Sequence, residues 1–85
     1  MDAQQIETML REALALDEVY AKTEGTHVQV IAVGEIFAGL SPVKKQQLIY
    51  GPLNSAISDG TIHAVSIKAY TPDEWRRDKL LQPAP

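Results

Sequence analysis

The chain has 85 residues, which is enough for one domain with a single hydrophobic core. Its composition, 45% hydrophobic and 22% charged, is ordinary for a soluble globular protein, and no stretch approaches the ~18 apolar residues of a membrane span. A net charge of −3 gives no overall basic excess for nucleic acid, and the absence of cysteine excludes disulfides, zinc–thiolate sites and a cysteine nucleophile. The first residues resemble no secretory signal, so we expect a cytoplasmic protein without a membrane association.

The N-terminal segment predicts an amphipathic helix with Asp2 as its N-cap. Its apolar residues recur at helical spacing and form one stripe: Ile6, Met9, Leu10, Ala13 and Leu14. Residues 17–22 then alternate as a strand does, and residues 23–26 supply a turn in which Gly25 tolerates a positive φ. Together these segments predict a helix followed by a hairpin.

The strongest strand of the chain is predicted for residues 27–33, which are rich in β-branched side chains. Because this segment is apolar on both faces toward its end, we expect it to be the central strand of a sheet. Residues 34–39 close the strand and carry Phe37 as an apolar anchor.

Ser41 and Pro42 predict the start of a helix, as an N-cap followed by proline at the first helical position. Gly51 and Pro52 then interrupt the helical pattern. A proline inside a helix costs ~3 kcal/mol or more, because it removes a hydrogen bond and clashes with the preceding turn. We therefore expect two short helices that meet at this point.

A third strand is predicted for residues 62–70. Thr71 and Glu74 then form a complete capping box, which begins a last helix with Trp75 as its core anchor. The resulting order, α-β-β-α-α-β-α, predicts an α+β domain with helices packed on a three-stranded mixed sheet. Strands two and three are joined through helices, so they should run parallel with a right-handed crossover. We expect the domain to span residues 1–80 and a flexible tail to follow at residues 81–85.

The two histidines of the chain are its candidate metal ligands. His27 opens the second strand and His63 opens the third, so parallel pairing would bring both to the same edge of the sheet. A neutral imidazole is a competent metal ligand, and it replaces thiolates on one iron of Rieske-type clusters. The alternative is a surface or hydrogen-bonded structural role, which is the more frequent role of a histidine at a strand start.

A basic face is the second candidate site. Lys44, Lys45 and Arg76 lie on two predicted helices, from which they could contact nucleic-acid phosphates. A solvated helix face is the simpler interpretation, and the joint at residues 50–53 lacks the Gly-x-x-Gly loop with which KH domains grip RNA. Acidic residues are scattered, and neither a nucleophile motif nor a Gly-rich phosphate loop is present, so we expect no enzymatic activity.

Residues 62–75, with a histidine before an alternating strand and then Thr-Pro-x-Glu-Trp, resemble the C-terminal signature of the BolA family. Residues 26–33 are similar to the second strand of that family. The sequences Val-Lys-Lys-Gln-Gln at 43–47 and Tyr-Gly-Pro-Leu at 50–53 are most similar to its IbaG-like (YrbA-like) bacterial branch. The resemblance covers residues 5–77 and implies a BolA/KH-like (type II) fold.

The resemblance implies a stress-response adaptor that partners a monothiol glutaredoxin. In such a pair, thiolates of the glutaredoxin and of glutathione hold a bridged [2Fe-2S] cluster, and the BolA-like chain supplies a C-terminal histidine, which His63 matches. Many relatives place a second ligand, a histidine or cysteine, near the positions of Thr23 and Glu24. This chain has neither there, and His27 is the nearest substitute. The isolated chain is expected to carry no cofactor.

Other functions remain open under the same resemblance. Some BolA-like proteins are described as DNA-binding regulators of stress or morphology genes, which would draw on the basic residues Lys44, Lys45 and Arg76. A plain protein-interaction domain, acting through the same sheet edge without metal, is a third reading. A homodimer and a link to acid stress resistance are further expectations.

Overall fold

Three α-helices and a three-stranded mixed sheet make up the fold, which the computed structural model describes for residues 2–78. The elements in chain order are α1 (Ala3–Ala13), β1 (Glu18–Glu24), β2 (His27–Val33), a short 3₁₀ helix (Glu35–Phe37), α2 (Pro42–Ser58), β3 (Ala64–Tyr70) and α3 (Pro72–Asp78). The predicted α+β order is confirmed, but the first of the two middle helical elements is the 3₁₀ helix and not a separate first half of α2. The predicted tail at residues 81–85 lies outside the described residues. In residues 2–78, no helix has the length and apolar character needed to cross a membrane.

The sheet has the order β1-β2-β3, so the predicted central position of β2 is confirmed. β1 and β2 are antiparallel, with Glu24 opposite His27, whereas β2 and β3 are parallel, with His27 opposite Ala64. The parallel pairing follows from the crossover through α2, which returns the chain to the end of the sheet where β2 began. This register brings the start of β3 beside the β1–β2 turn.

The hairpin turn is shorter than the sequence predicted. Residues 23 and 24 belong to β1, and only Gly25 and Thr26 join the two strands. Gly25 has a φ of +62°, a conformation that two-residue hairpin turns require and that glycine adopts without strain. The prediction of a four-residue turn was wrong because the polar residues Thr23 and Glu24 lie on an edge strand, where they stay at the surface.

Helix α1 begins at a capping box and packs its apolar stripe on the sheet. Gln5 donates its backbone N–H to the Asp2 carboxylate at 2.8 Å, and the Gln5 side chain accepts from the Asp2 N–H at 2.9 Å. Ile6 and Leu10 are fully buried, whereas Ala13, which the stripe included, is exposed at the end of the helix. The predicted N-cap and helix face are therefore confirmed except at the last turn.

Helix α2 is a single continuous helix, so the predicted break at Gly51 and Pro52 was wrong. Its inward face continues across the proline, with Ile49 before it and Leu53 after it, both fully buried. Burial of a side chain such as leucine contributes about 1.5–3 kcal/mol. Continuing the apolar stripe therefore offsets the ~3 kcal/mol that an interior proline costs.

The main hydrophobic core lies between one face of the sheet and the helices α1 and α2. Its buried members are Ile6, Leu10, Val19, Val28, Val30, Ala32, Phe37, Ile49, Leu53, Ala56 and Ile62. Alternation along the strands explains the choice of residues, because Val19, Val28 and Val30 share one face. Phe37, predicted as an anchor, is fully buried.

Helix α3 packs on the opposite face of the sheet. The Trp75 ring lies 5.9 Å from the Tyr20 ring and 5.4 Å from the Tyr70 ring, measured between centroids. By strand alternation, both tyrosines and the buried Val33 point away from the main core. Trp75 is thus a buried anchor, as predicted, but of a second, smaller aromatic cluster that it forms with Tyr20 and Tyr70. This cluster covers only the end of the outer face at which β2 and β3 finish.

Candidate functional site at the start of the third strand

The segment that leads from α2 into β3 is held by a series of short-range hydrogen bonds. Asp59 accepts the Thr61 N–H at 2.9 Å, and its hydrogen bonds with Thr61 hold the pKa of the Asp59 carboxyl below its usual range. Gly60 adopts a φ of +84°, which ends the helix in the left-handed region that glycine favours. Ile62 then enters the core, with 2% of its surface exposed. The residue that follows Ile62 therefore leaves the helix layer from a fixed point.

That residue is His63, which immediately precedes β3. Its backbone N–H donates to the Thr26 carbonyl at 2.9 Å, so the histidine is tied to the hairpin turn. Its side chain is exposed, and Nε2 lies 3.6 Å from the position that a Cβ on Gly60 would occupy. Within residues 2–78, neither ring nitrogen is engaged in a hydrogen bond. The structure thus presents an accessible imidazole on an anchored backbone.

His27 lies at the same edge of the sheet but on the other face. Strand alternation puts His27 with Gln29 and Ser66 on the outer face, and these side chains share a small polar concavity with Lys22 and Glu24. His63 instead lies against the turn that ends α2, on the helix side of the sheet.

The structure therefore confirms that the two histidines share one sheet edge, although their side chains do not converge. In the described part of the chain, no group of three or more His, Asp or Glu side chains is arranged to hold a metal ion. The chain has no cysteine. These residues fit one role toward an iron–sulfur cluster, which is to donate an imidazole to a group whose thiolates come from other molecules.

Two of the three basic residues proposed for nucleic acid are paired with acidic ones. The Lys45 ammonium lies 3.7 Å from a Glu74 carboxylate oxygen, and Arg76 is bound to Asp73. Lys44 is exposed on the first turn of α2. The structure brings the start of α2 beside α3, so these cations do lie near one another, but the carboxylates among them reduce the positive potential available to a phosphate backbone.

The capping box of α3 contributes to this neutralisation. Glu74 accepts the Thr71 N–H at 2.8 Å, and Thr71 Oγ1 accepts the Glu74 N–H at 3.3 Å. The hydrogen bonds with the backbone and side chain of Thr71, and then the nearby Lys45 and Arg77 charges, hold the pKa of Glu74 below its usual range. The carboxylate therefore stays charged beside the basic residues.

Sequence reasoning identified both histidines but did not identify the residues that set the position of His63. Asp59 and Gly60 were visible as a helix-ending signal, and a reading of that signal as an Asx turn could have found their role. Thr26 acts through its backbone carbonyl, which carries no sequence signal. The separation of the histidines onto two faces depends on the register of β2 and β3, which only the structure provides.

Comparison with known proteins identifies the family. The family model described as "BolA-like protein" matches residues 4–74. The chain belongs to the BolA family. It is 58% identical over 81 residues to the Escherichia coli K12 protein named acid stress protein IbaG, covering 95% of this chain and 96% of that protein. The predicted membership of the IbaG-like branch is therefore confirmed.

Solved structures of BolA proteins share the fold of this BolA-like chain. The solution structure of BolA1 from Mus musculus superposes with a TM-score of 0.83 at 28% identity, covering 98% of this chain and 75% of the mouse chain. A bolA protein homologue from Coxiella burnetii gives a TM-score of 0.75 at 29% identity, covering 91% of this chain and 99% of the other. The predicted BolA-type architecture is therefore confirmed.

Proposed function

We propose that this BolA-like protein is a stress-response adaptor without catalytic activity of its own, which partners a monothiol glutaredoxin in iron–sulfur trafficking or sensing. In this proposal the two proteins and glutathione share a [2Fe-2S] cluster, and His63 is the ligand from this chain. The similarity to a protein named acid stress protein IbaG supports a role in acid stress.

The observation that carries the proposal is the setting of His63. Its side chain is exposed while its backbone is anchored to Thr26 at 2.9 Å and its neighbour Ile62 is buried. Ligands that are held in place before binding lose less conformational entropy when a shared group is assembled between two proteins. A neutral imidazole also binds the iron of a cluster more weakly than thiolates do, which favours transfer of the cluster to another protein.

The chemistry of the chain agrees with a shared cluster. Since the chain has no cysteine, the cluster's thiolates would come from the glutaredoxin and glutathione. His27 lies on the outer face with Gln29 and Ser66, so we propose His63 as the principal ligand and treat His27 as the matched control. Both variants remove one exposed imidazole from the same sheet edge, which makes their comparison specific.

The test is a titration of a cluster-loaded monothiol glutaredoxin and glutathione with this chain, followed by visible circular dichroism. We expect the native chain and His27→Ala to produce a new cluster spectrum, and His63→Ala to leave the glutaredoxin spectrum unchanged. Loss of the new spectrum in both variants would make His27 a second ligand. A spectrum that the native chain does not change would reject cluster sharing, and DNA binding by Lys44, Lys45 and Arg76 would then be measured at several salt concentrations.

A further inference from the structure

β3 is an edge strand, so the backbone N–H and C=O groups of every second residue in it point away from β2. The Tyr70 carbonyl accepts the Gly34 N–H at 2.9 Å, so the backbone of Tyr70 points toward β2. In a strand, successive residues point their N–H and C=O groups to opposite sides, and in a parallel pair both groups of one residue point the same way. Val65, Ile67 and Ala69 therefore direct their N–H and C=O groups away from the sheet.

These outward groups are unoccupied in the described part of the chain. No hydrogen bond to the backbone of Val65, Ile67 or Ala69 is present on that side, and none of the three has a further partner. The side chains of Val65 and Ile67 are only half-buried at the border of the main core. An open strand edge of this kind is a template for pairing with another strand.

The opposite edge of the sheet is closed by a side chain. The Ala21 N–H, which points outward from β1, donates to a carboxylate oxygen of Glu7 in α1 at 2.9 Å. Glu7 thus occupies the middle of the β1 edge. Natural proteins use charged side chains in this way to hinder pairing between edge strands. The middle outward N–H of β1 is therefore occupied, whereas those of Val65, Ile67 and Ala69 on β3 are not.

We propose that β3 pairs antiparallel with β3 of a second copy of this chain, so that two three-stranded sheets become one six-stranded sheet. Pairing of two different open edges would extend into a filament, whereas pairing of a single edge with itself closes after two copies. Because Glu7 occupies the middle N–H of the β1 edge, pairing of β3 with itself is favoured over pairing of β3 with β1, and the assembly closes as a dimer. This inference stands on the sheet edges alone and does not depend on cluster sharing.

The pattern of outward groups fixes the register of the pairing. The three outward residues are centred on Ile67, so a twofold axis beside Ile67 pairs it with Ile67 of the second copy, and Val65 with Ala69 of the second copy. Every outward N–H of these residues then meets a carbonyl. On the outer face, Ser66 lies opposite Lys68 of the second copy, which keeps the two lysines from facing each other directly.

A cysteine pair tests this register in a chain that has no cysteine of its own. Ser66 and Lys68 of the two copies would form a non-hydrogen-bonded pair with Cα atoms about 4.5 Å apart. That separation lies within the roughly 4.4–6.8 Å range of disulfides. Ser66→Cys and Lys68→Cys proteins are mixed in equal amounts, oxidised mildly, and analysed by mass spectrometry. We expect the mixed disulfide to form well above the half share of random pairing, and a random share would overturn the register.

Proline substitution tests the edge itself. Ala69→Pro removes an outward N–H while leaving the pairing with β2 intact, and Thr23→Pro places the same residue on the β1 edge as the matched control. Sedimentation equilibrium should show a dimer for the native chain and for Thr23→Pro. For Ala69→Pro we expect a dissociation constant raised about tenfold or more, since two symmetry-related hydrogen bonds are lost.

A measurement on the native chain covers the case in which Ala69→Pro fails to fold. Amide hydrogen exchange at Val65, Ile67 and Ala69 should slow as the protein concentration rises, while exchange at Ser66 and Lys68, which point toward β2, should stay slow throughout. The proposal would be overturned if the native chain sedimented as a monomer at millimolar concentration. It would also be overturned if the exchange rates at Val65, Ile67 and Ala69 did not depend on protein concentration.

Discussion

The single tryptophan offers a sharp test of the aromatic cluster that attaches α3 to the sheet. Trp75 is 7% exposed, yet its indole N–H has no hydrogen-bond acceptor in the part of the chain that the structure describes. A buried donor without a partner costs about 1–3 kcal/mol. We therefore expect Trp75→Phe, which removes the donor and keeps an aromatic ring, to be tolerated unusually well.

The magnitude follows from two opposing contributions. The smaller phenyl ring loses part of the contact with Tyr20 and Tyr70, whose centroids lie 5.9 and 5.4 Å from the indole, at a cost of about 1–2 kcal/mol. Removal of the unpaired indole N–H raises the free energy of unfolding by about 1–3 kcal/mol. The free energy of unfolding of Trp75→Phe should therefore lie within about 1 kcal/mol of the native value. Trp75→Ala, which also removes the ring, should lose about 3–5 kcal/mol.

The assay is urea unfolding of the native chain and both variants, followed by far-ultraviolet circular dichroism because the substitution removes the only tryptophan. The m-values should agree, so that midpoints report stability. If Trp75→Phe lost more than half of what Trp75→Ala loses, the indole N–H would have to be satisfied in solution. The account of the aromatic cluster given above would then be wrong.

Substitutions at three further positions test other contacts. Hydrogen bonding lowers the pKa of Glu74 from 4.5, so the Glu74 carboxylate stabilises the fold above pH 4.5 and loses this effect as the pH falls through the lowered pKa. NMR titration of the Thr71 amide should show this transition, and Glu74→Gln should abolish it. Pro52→Ala should raise the free energy of unfolding by about 1–3 kcal/mol, measured in urea, because it restores a helical donor. Glu7→Ala should lower it by about 1 kcal/mol by leaving the Ala21 N–H unpaired, with Glu7→Gln closer to native.

Local sequence signals predicted most of the fold. The capping boxes at Asp2 and at Thr71 both form, because each depends on residues three positions apart. The central strand follows from its β-branched, two-faced apolar pattern. Pro52 misled the prediction, since the cost of a proline is local whereas the gain from continuing a buried stripe depends on the packed core.

The candidate site was predictable only in part. The topology placed His27 and His63 at one sheet edge, and that expectation is confirmed by the pairing of His27 with Ala64. Which face each side chain occupies depends on a register that single-residue slippage would reverse, so sequence alone could not decide it. The ion pair of Lys45 with Glu74 could not be predicted, because it joins residues of two helices that only the tertiary fold brings together. The pair of Arg76 with Asp73, in contrast, has an i, i+3 spacing that is visible in the sequence.

The length of the turn between β1 and β2 limits how many donor side chains can lie beside His63. Because β1 continues through Thr23 and Glu24, the β1–β2 turn is too short to project an additional donor beside His63. Loop length is inexpensive, with each doubling costing about 0.6 kcal/mol of closure entropy. Residues inserted between Gly25 and Thr26 would thus extend toward solvent while the Thr26 carbonyl keeps its bond to the His63 N–H. The number of donor side chains at the His63 edge of the sheet can therefore be changed by lengthening the β1–β2 turn, without altering the rest of the fold.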